Sequence, residues 1–358
     1  MGNQIRKLAG FERYLTVWVI ACMISGVLVG KFFPVSVDVL RRIEFGEGSQ
    51  INVPIMLLIW FMIYPMMLKI DIAGLIKVKD RPKGILITLF VNWMVKPFSM
   101  AFISWIFFKH LYASFIGGAI ADQYIAGTII LAAAPCTAMV FVWSYLTNGD
   151  PAYTLVQVSL NDLLMLVFFA PLVSLLVGTA SGIHIPFHVL LYSVGAFVVI
   201  PLVLGASSRY LLVGWKGLEW FEKVFVSAFR PITTMALLTT LVLIFAFQAD
   251  NLTTRSFDII LIAIPLLLQV YVNSSIAYGL MRFFKVPYSI AAPGALIGAS
   301  NFFELAVATA IVLFGPGSAA ALATVVGVLV EVPAMLSVCS FCNKTQHWFT
   351  AETAIEGK

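Results

Sequence analysis

Two residues within long apolar runs could do chemistry: Cys136 and Glu304. Cys136 directly follows Pro135 in the run 131–139. A proline inside a helix removes one backbone hydrogen bond and clashes with the preceding turn, so the sequence predicts a broken helix there. A thiol at the start of the next half-helix would be stabilised as a thiolate by free N–H groups and would be a soft ligand. The alternative is ordinary packing, because cysteine is often a small buried apolar residue.

Glu304 lies in the run 298–306, where a carboxylate inside the bilayer costs about 3 kcal/mol unless it is protonated or paired. Its position indicates substrate transport, proton carriage or pairing. Gly298, Ser300 and Asn301 precede it and could turn the backbone, which predicts a second helix break. Broken spans persist in lipid only where protein or a hydrated cavity satisfies the backbone, so two of them point to a binding site. Two ordinary kinks are the alternative.

Other deep polar residues allow two interpretations. Asp162 and Glu331 could carry protons and Lys96 could have a function in transport, or Lys96 could form a structural pair with one of the two acids. The amides could make polar contacts between helices or line a hydrated cavity; they are Asn92, Asn161, Asn273 and Asn301. Cys339 and Cys342 have dithiol spacing, but no second pair or histidine accompanies them, so we interpret them as incidental thiols.

The elements that must position these groups are membrane spans. Of 358 residues, 61% are hydrophobic and 11% charged, against roughly 25% charged in a soluble domain. Apolar runs of about 20 residues predict ten transmembrane helices in a single membrane domain, 1–358. The spans are expected at about 15–33, 53–70, 84–108, 123–146, 152–178, 187–208, 231–249, 257–281, 287–314 and 318–342.

The basic residues predict topology rather than nucleic-acid binding. The net charge is +5, but Lys and Arg lie in short clusters between apolar runs. With the N-terminus inside, fifteen of the 22 lie in inner segments and five in outer ones, as the positive-inside rule requires. We therefore predict an inner-membrane protein with both termini cytoplasmic.

Four landmarks recur at nearly one spacing. Pro97 and Pro265 are 168 residues apart, as are Cys136 and Glu304, while the loops at 149–151 and 315–317 differ by 166. Asp162 and Glu331 follow at 169. Five spans per half place the second half in the opposite orientation, which predicts two inverted repeats, 15–178 and 187–342.

Motifs for ATP-driven or hydrolytic chemistry are missing from the sequence. It contains no Gly-Lys-Ser phosphate loop, no His-Glu zinc pair and no Gly-x-Ser-x-Gly elbow. We therefore predict a secondary transporter rather than an enzyme, with no cofactor and no implied ATPase subunit. An intramembrane enzyme or receptor using the buried Cys, Asp and Glu is a remote alternative.

Three segments form distinctive motifs: Ala-Pro-Cys-Thr-Ala-Met-Val-Phe-Val-Trp at 134–143, Gly-Asp-Pro-Ala-Tyr-Thr-Leu-Val-Gln-Val at 149–158 with Asn161-Asp162, and Ser-Asn-Phe-Phe-Glu-Leu-Ala-Val-Ala at 300–308. In these motifs the chain resembles the arsenical resistance-three transporters of the bile acid/arsenite/riboflavin superfamily. The similarity covers nearly the whole chain. It implies export of arsenite, and in some members antimonite, with proton antiport. It also implies a panel domain of helices 1, 2, 6 and 7 and a core domain of helices 3–5 and 8–10, in which broken helices 4 and 9 cross.

The family's essential cysteine and glutamate fall on Cys136 and Glu304. Trivalent arsenic is thiophilic, so we expect one sulfur contact at Cys136, supplemented by Thr137, Ser300 and Asn301. Asn161 and Asn273 would complete the substrate site, and Glu304, with Asp162 and Glu331, would carry protons. The alternative on the same fold is a sodium-coupled organic-anion symporter.

Overall fold

A computed structural model of the chain describes residues 15–44, 51–68, 82–136 and 139–349. Every regular element within these ranges is helical, which confirms the all-helical prediction. In the first half the helices are α1 Leu15–Phe32, α2 Pro34–Arg42, α3 Val53–Met67, α4 Pro82–Leu111, α5 Gly118–Ala132, α6 Val140–Leu146 and α7 Pro151–Ser181. In the second half they are α8 Phe187–Lys216, α9 Leu218–Phe247, α10 Ala249–Thr254, α11 Ser256–Phe283, α12 Tyr288–Ala299, α13 Phe303–Phe314 and α14 Ala319–Lys344.

Local sequence signals explain where the long helices begin and end. Asp150 caps α7 by accepting hydrogen bonds from the amides of Ala152 at 2.8 Å and Tyr153 at 3.2 Å, with Pro151 in the first turn. Gly182 ends α7 in the left-handed conformation, with φ +75°, which a glycine adopts without a steric penalty. Ser318 caps α14 through the amide of Ala321.

The lengths of the helices fit a multi-pass membrane protein. Within the described ranges seven spans are long and apolar enough to cross a bilayer, or eight if the pair α1 and α2, bent by 99°, counts as one span. The described helices α3 and α5 are apolar but shorter. The count of ten spans and the inverted repeat therefore stay predictions, although a helix lies within each predicted segment. The terminal residues and seven of the predicted topology signals lie outside the described residues: Arg6, Lys7, Arg13, Lys77, Lys79, Arg81 and Lys358.

One group of helices packs through small residues and polar contacts. Helix α9 packs against α1 and α3, and α8 packs against α3. Gly26 and Gly30 let α1 approach α9, because a Cβ at either position would lie within 2.6 Å of a backbone oxygen of that helix. The Trp60 indole donates to the Ala196 carbonyl at 2.8 Å and so joins α3 to α8.

A second group surrounds the broken helices. Helix α5 packs against α4, α7 and α14, while α12 packs against α4 and α11, and α13 against α14. In the apolar stretch of Tyr288–Phe314 that could span a bilayer, 94% of the residues are buried. In the corresponding stretch of α7 the share is 33%. Protein therefore surrounds the α12–α13 pair almost completely, as irregular backbone at membrane depth requires. The division into panel and core domains stays a prediction.

Helices α8 and α9 are longer than the sequence indicated. The predicted spans ended near 208 and began near 231, whereas the helices meet at Gly217, which has φ +84°. The helical segments therefore include Arg209, Lys216 and Lys223. Hydropathy marks where lipid contact ends, but backbone hydrogen bonding continues through polar residues whose long side chains reach water.

Candidate functional site

The first interruption lies between α5 and α6 and contains Pro135 and Cys136. Helix α5 ends at Ala132 and α6 begins at Val140, so the predicted break at Pro135 is confirmed. The Cys136 side chain is buried, at 2% exposure, and so faces protein rather than acyl chains. The prediction that Cys136 opens the second half-helix is wrong, because Cys136 itself is not helical and the described helix α6 begins at Val140. The neighbouring Thr137 lies outside the described residues.

The second interruption is shorter and has no proline. Helix α12 ends at Ala299 and α13 begins at Phe303, which confirms the predicted break. Glu304 lies in the first turn of α13, where the helix dipole favours a negative charge. Its carboxylate is buried, and neither oxygen has a hydrogen-bond partner among the described residues. A buried carboxyl group of this kind needs a proton, a ligand or water.

The two interruptions touch one another. The Phe302 amide donates to the Ala134 carbonyl at 3.0 Å. Each of these residues lies two positions before a candidate group, Cys136 in one segment and Glu304 in the other. A sulfur and a carboxyl group therefore flank one junction of irregular backbone.

Lys96, from α4, binds both interrupted segments. Its ammonium donates to the Ser300 carbonyl at 2.7 Å and to the Ala134 carbonyl at 3.2 Å, and the side chain is fully buried. The possible ion pair with Asp162 or Glu331 is not found at hydrogen-bond distance among the described residues. Carbonyls that lost their helical donors compete successfully for the ammonium because they belong to the adjacent helix breaks.

The two other deep acids differ in their contacts. The Oε1 of Glu331 accepts a hydrogen bond from the backbone N–H of Asn301 at 2.9 Å, so α14 also holds the second interruption. Asp162, in α7, is buried with both oxygens unpartnered in the described part of the chain. Asp162 therefore resembles Glu304 in lacking a protein partner, whereas Glu331 has one.

The predicted amides occupy different environments. Asn161 is held structurally, since its Oδ1 accepts from Asn92 at 3.2 Å and from the Trp93 indole at 3.0 Å. Asn273 accepts from Ser99 at 3.1 Å, while its amide nitrogen has no partner among the described residues. The Oδ1 of Asn301 is likewise buried and unpartnered there. Asn273 and Asn301 thus keep hydrogen-bonding capacity that Asn161 has already used.

Sequence reasoning missed the bridging role of Lys96 and two buried amides. Gln157 in α7 and Gln269 in α11 are fully buried, and no amide atom of either has a partner in the described ranges. The signal was present, because a glutamine inside an apolar run is as unusual as an asparagine. The described residues contain no group of three or more His, Cys, Asp or Glu side chains that could hold a metal ion.

Known proteins resemble this chain along nearly its whole length. The model of the Sodium Bile acid symporter family matches residues 56–255. An Arsenical-resistance protein Acr3 from Alkaliphilus metalliredigens is 50% identical over 354 residues, which cover 98% of each protein. An uncharacterized transporter from Synechocystis is 42% identical over 95% of this chain and 90% of its own length. The Arsenical-resistance protein Acr3 from Corynebacterium glutamicum is 28% identical over 93% of this chain and 88% of its own length.

Proposed function

Because the chain belongs to the sodium/bile acid symporter family and is of the Acr3 arsenical-resistance type, we propose that it exports arsenite from the cytoplasm in exchange for protons. The chain is a multi-pass transporter and not an enzyme. The proposal includes the cell inner membrane as its location, both termini on the cytoplasmic side, and antimonite as a second substrate. It also includes ten spans arranged as inverted repeats with panel and core domains.

The contact between the two helix breaks is the observation that carries the proposal. The Phe302 amide on the Ala134 carbonyl joins segments that bear a buried sulfur and a buried carboxyl group. Interrupted helices that meet at membrane depth are where secondary transporters bind their substrates and coupling ions. The two groups needed here are a soft ligand and a proton carrier. Each lies two residues after the contacting residue of its own segment.

Cys136 is the proposed contact for arsenic. Trivalent arsenic is soft and binds sulfur. One sulfur, assisted by oxygen and nitrogen atoms of Thr137, Ser300 and Asn301, would bind it weakly enough for release. The unpartnered Oδ1 of Asn301 supports this role. Asn273 would add its unpartnered amide nitrogen, and Asn161, held by Asn92 and Trp93, would complete the substrate site.

Glu304 is the proposed proton carrier. Its carboxyl group takes a proton from outside as arsenite leaves and releases that proton to the cytoplasm when arsenite binds. The absence of a protein partner for either oxygen among the described residues supports this exchange, because a fixed ion pair would oppose it. Asp162 and Glu331 would assist proton movement to and from the junction.

Flux in reconstituted vesicles tests the proposal directly. With the cytoplasmic face outward, an acidic lumen should drive arsenite into the vesicle as protons leave, and collapsing the pH gradient should stop this uptake. Replacing external sodium with an organic cation should leave the rate unchanged. Arsenite uptake that ignores the pH gradient would refute proton antiport.

A sodium-coupled organic-anion symporter is the second candidate, because the matching family is described by that activity. The same vesicles, given taurocholate and a sodium gradient at equal pH, distinguish the two. Sodium-driven taurocholate uptake without pH-driven arsenite uptake would favour the symporter.

A further inference from the structure

Two half-helices, α5 and α12, end at the same buried ammonium. The Lys96 nitrogen lies 2.7 Å from the Ser300 carbonyl, just past α12, and 3.2 Å from the Ala134 carbonyl, just past α5. A helix carries about half a negative charge at its C-terminus, so two ends together amount to about one. The single charge of Lys96 therefore balances the junction.

Other oxygen atoms complete this environment. Glu331 holds the second interruption because its Oε1 accepts from the backbone N–H of Asn301. Its Oε2 and the side-chain Oδ1 of Asn301 have no partner among the described residues. Backbone carbonyls of unwound helices, a carboxylate and an amide oxygen are the ligands that hard cations, including sodium, prefer in transporters.

We propose that the Lys96 ammonium is a tethered substitute for a metal cation at this junction, and that it makes the transporter independent of sodium. The inference deepens the proposed function and rests on it for the identity of the transport site. A covalently attached cation cannot dissociate during the transport cycle, so no external cation is needed to hold the two breaks together. Removing the ammonium leaves a set of oxygen atoms with a net negative charge, which a sodium ion fits.

Thermal unfolding of the purified protein tests this without measuring arsenite. Wild type should unfold at the same temperature in sodium chloride and in N-methylglucamine chloride of equal ionic strength. Lys96→Ala should unfold at a lower temperature without sodium and should recover by about 2 °C or more as sodium is added. Lys109→Ala removes a lysine of the same helix that pairs with Asp122, and it should show no sodium response. The double variant Lys96→Ala/Glu331→Gln should lose much of the response.

Three results would overturn the proposal. The first is a Lys96→Ala protein as stable as wild type without sodium, and the second is a destabilised variant that sodium does not help. The third is a wild-type protein with the same sodium response. If Lys96→Ala does not fold, Lys96→Gln, whose amide can still donate to one carbonyl, is measured in the same scan with the same criteria. Since unfolding is read independently of flux, failure here and failure of arsenite antiport are distinguishable.

Discussion

The two interruptions meet in one place but are built differently. Helix α5 ends at Ala132 and α6 begins at Val140, with Pro135 between them, and the functional group is a thiol in the irregular segment itself. Helix α12 ends at Ala299 and α13 begins at Phe303, and the functional group is a carboxyl in the first turn of the next helix. One break presents its ligand on irregular backbone, whereas the other presents it at a helix N-terminus.

This difference suits the two breaks to different tasks, proton exchange at one and arsenic binding at the other. A helix N-terminus stabilises a negative charge and so suits a group that must gain and lose a proton. A longer irregular segment can adjust its backbone, which suits a ligand that must hold and release a large soft atom. The comparison would fail if both substitutions below changed transport in the same way.

The largest expected effect is that of Glu304→Gln. The amide cannot exchange a proton, so arsenite uptake driven by an acidic lumen should fall to the level of vesicles without protein. Any residual flux should not respond to the pH gradient. The measurement is arsenite flux at a series of imposed gradients, with unfolding temperature as a check that the protein is folded. Gradient-driven flux at the wild-type rate would remove Glu304 from the coupling.

Cys136→Ser should have the next largest effect and a different character. Loss of the sulfur contact should lower arsenite flux by about 10–100-fold, in the range expected when a metal ligand's support is removed. The remaining flux should still respond to the pH gradient. Cys22→Ser, at a buried thiol of α1, is the matched control and should transport normally. An unchanged rate for Cys136→Ser would show that the thiol takes no part.

The local features of this junction were accessible from the sequence, whereas its long-range contacts were not. Pro135 predicted its own break, and the glycine, serine and asparagine near 298–301 predicted the other, because backbone-breaking residues act locally. The sequence also indicated that Glu304 is buried, since it interrupts an apolar run. Hydropathy alone established the helical membrane class.

The hydrogen-bond partners of the buried polar residues could be identified only from the tertiary structure. The sequence allowed Lys96 to pair with an acid, but Lys96 binds carbonyls 38 and 204 residues away, because only the fold brings both helix ends to α4. For Asn161 the sequence allowed either a contact between helices or a place in the substrate site, and the structure supplies the contacts, with Asn92 and Trp93. In each case the residue type indicated a buried polar group. The identity of its hydrogen-bond partner depended on which helices pack together.

Glycine substitutions sharpen the comparison at the level of packing. A Cβ at Gly127, in α5, would lie 2.3 Å from the Ala320 carbonyl of α14, a backbone atom that cannot move aside. At Gly298, in α12, the nearest atom is a Val91 methyl group at 3.2 Å. Gly127→Ala should therefore destabilise the protein by about 1–3 kcal/mol and Gly298→Ala by less. Unfolding temperatures test this, with Gly118→Ala, which meets nothing within 4 Å, as the control in α5. Equal losses for Gly127→Ala and Gly118→Ala would contradict it.

The smallest effects should come from Cys339→Ser and Cys342→Ser, which remove buried thiols from the continuous helix α14 rather than from a break. A serine hydroxyl in a helix can donate to a carbonyl one turn earlier, so each change should cost about 1 kcal/mol of stability at most. Arsenite flux should stay within about twofold of wild type, because neither thiol lies at a helix break and a twofold change in rate corresponds to only about 0.4 kcal/mol in the barrier. The same vesicle assay used for Cys136→Ser decides the matter. If either variant lost as much flux as Cys136→Ser, a thiol's contribution to arsenite transport would not depend on its lying at a helix break. The contrast between the sulfur-bearing break and the continuous helix α14 would then no longer hold.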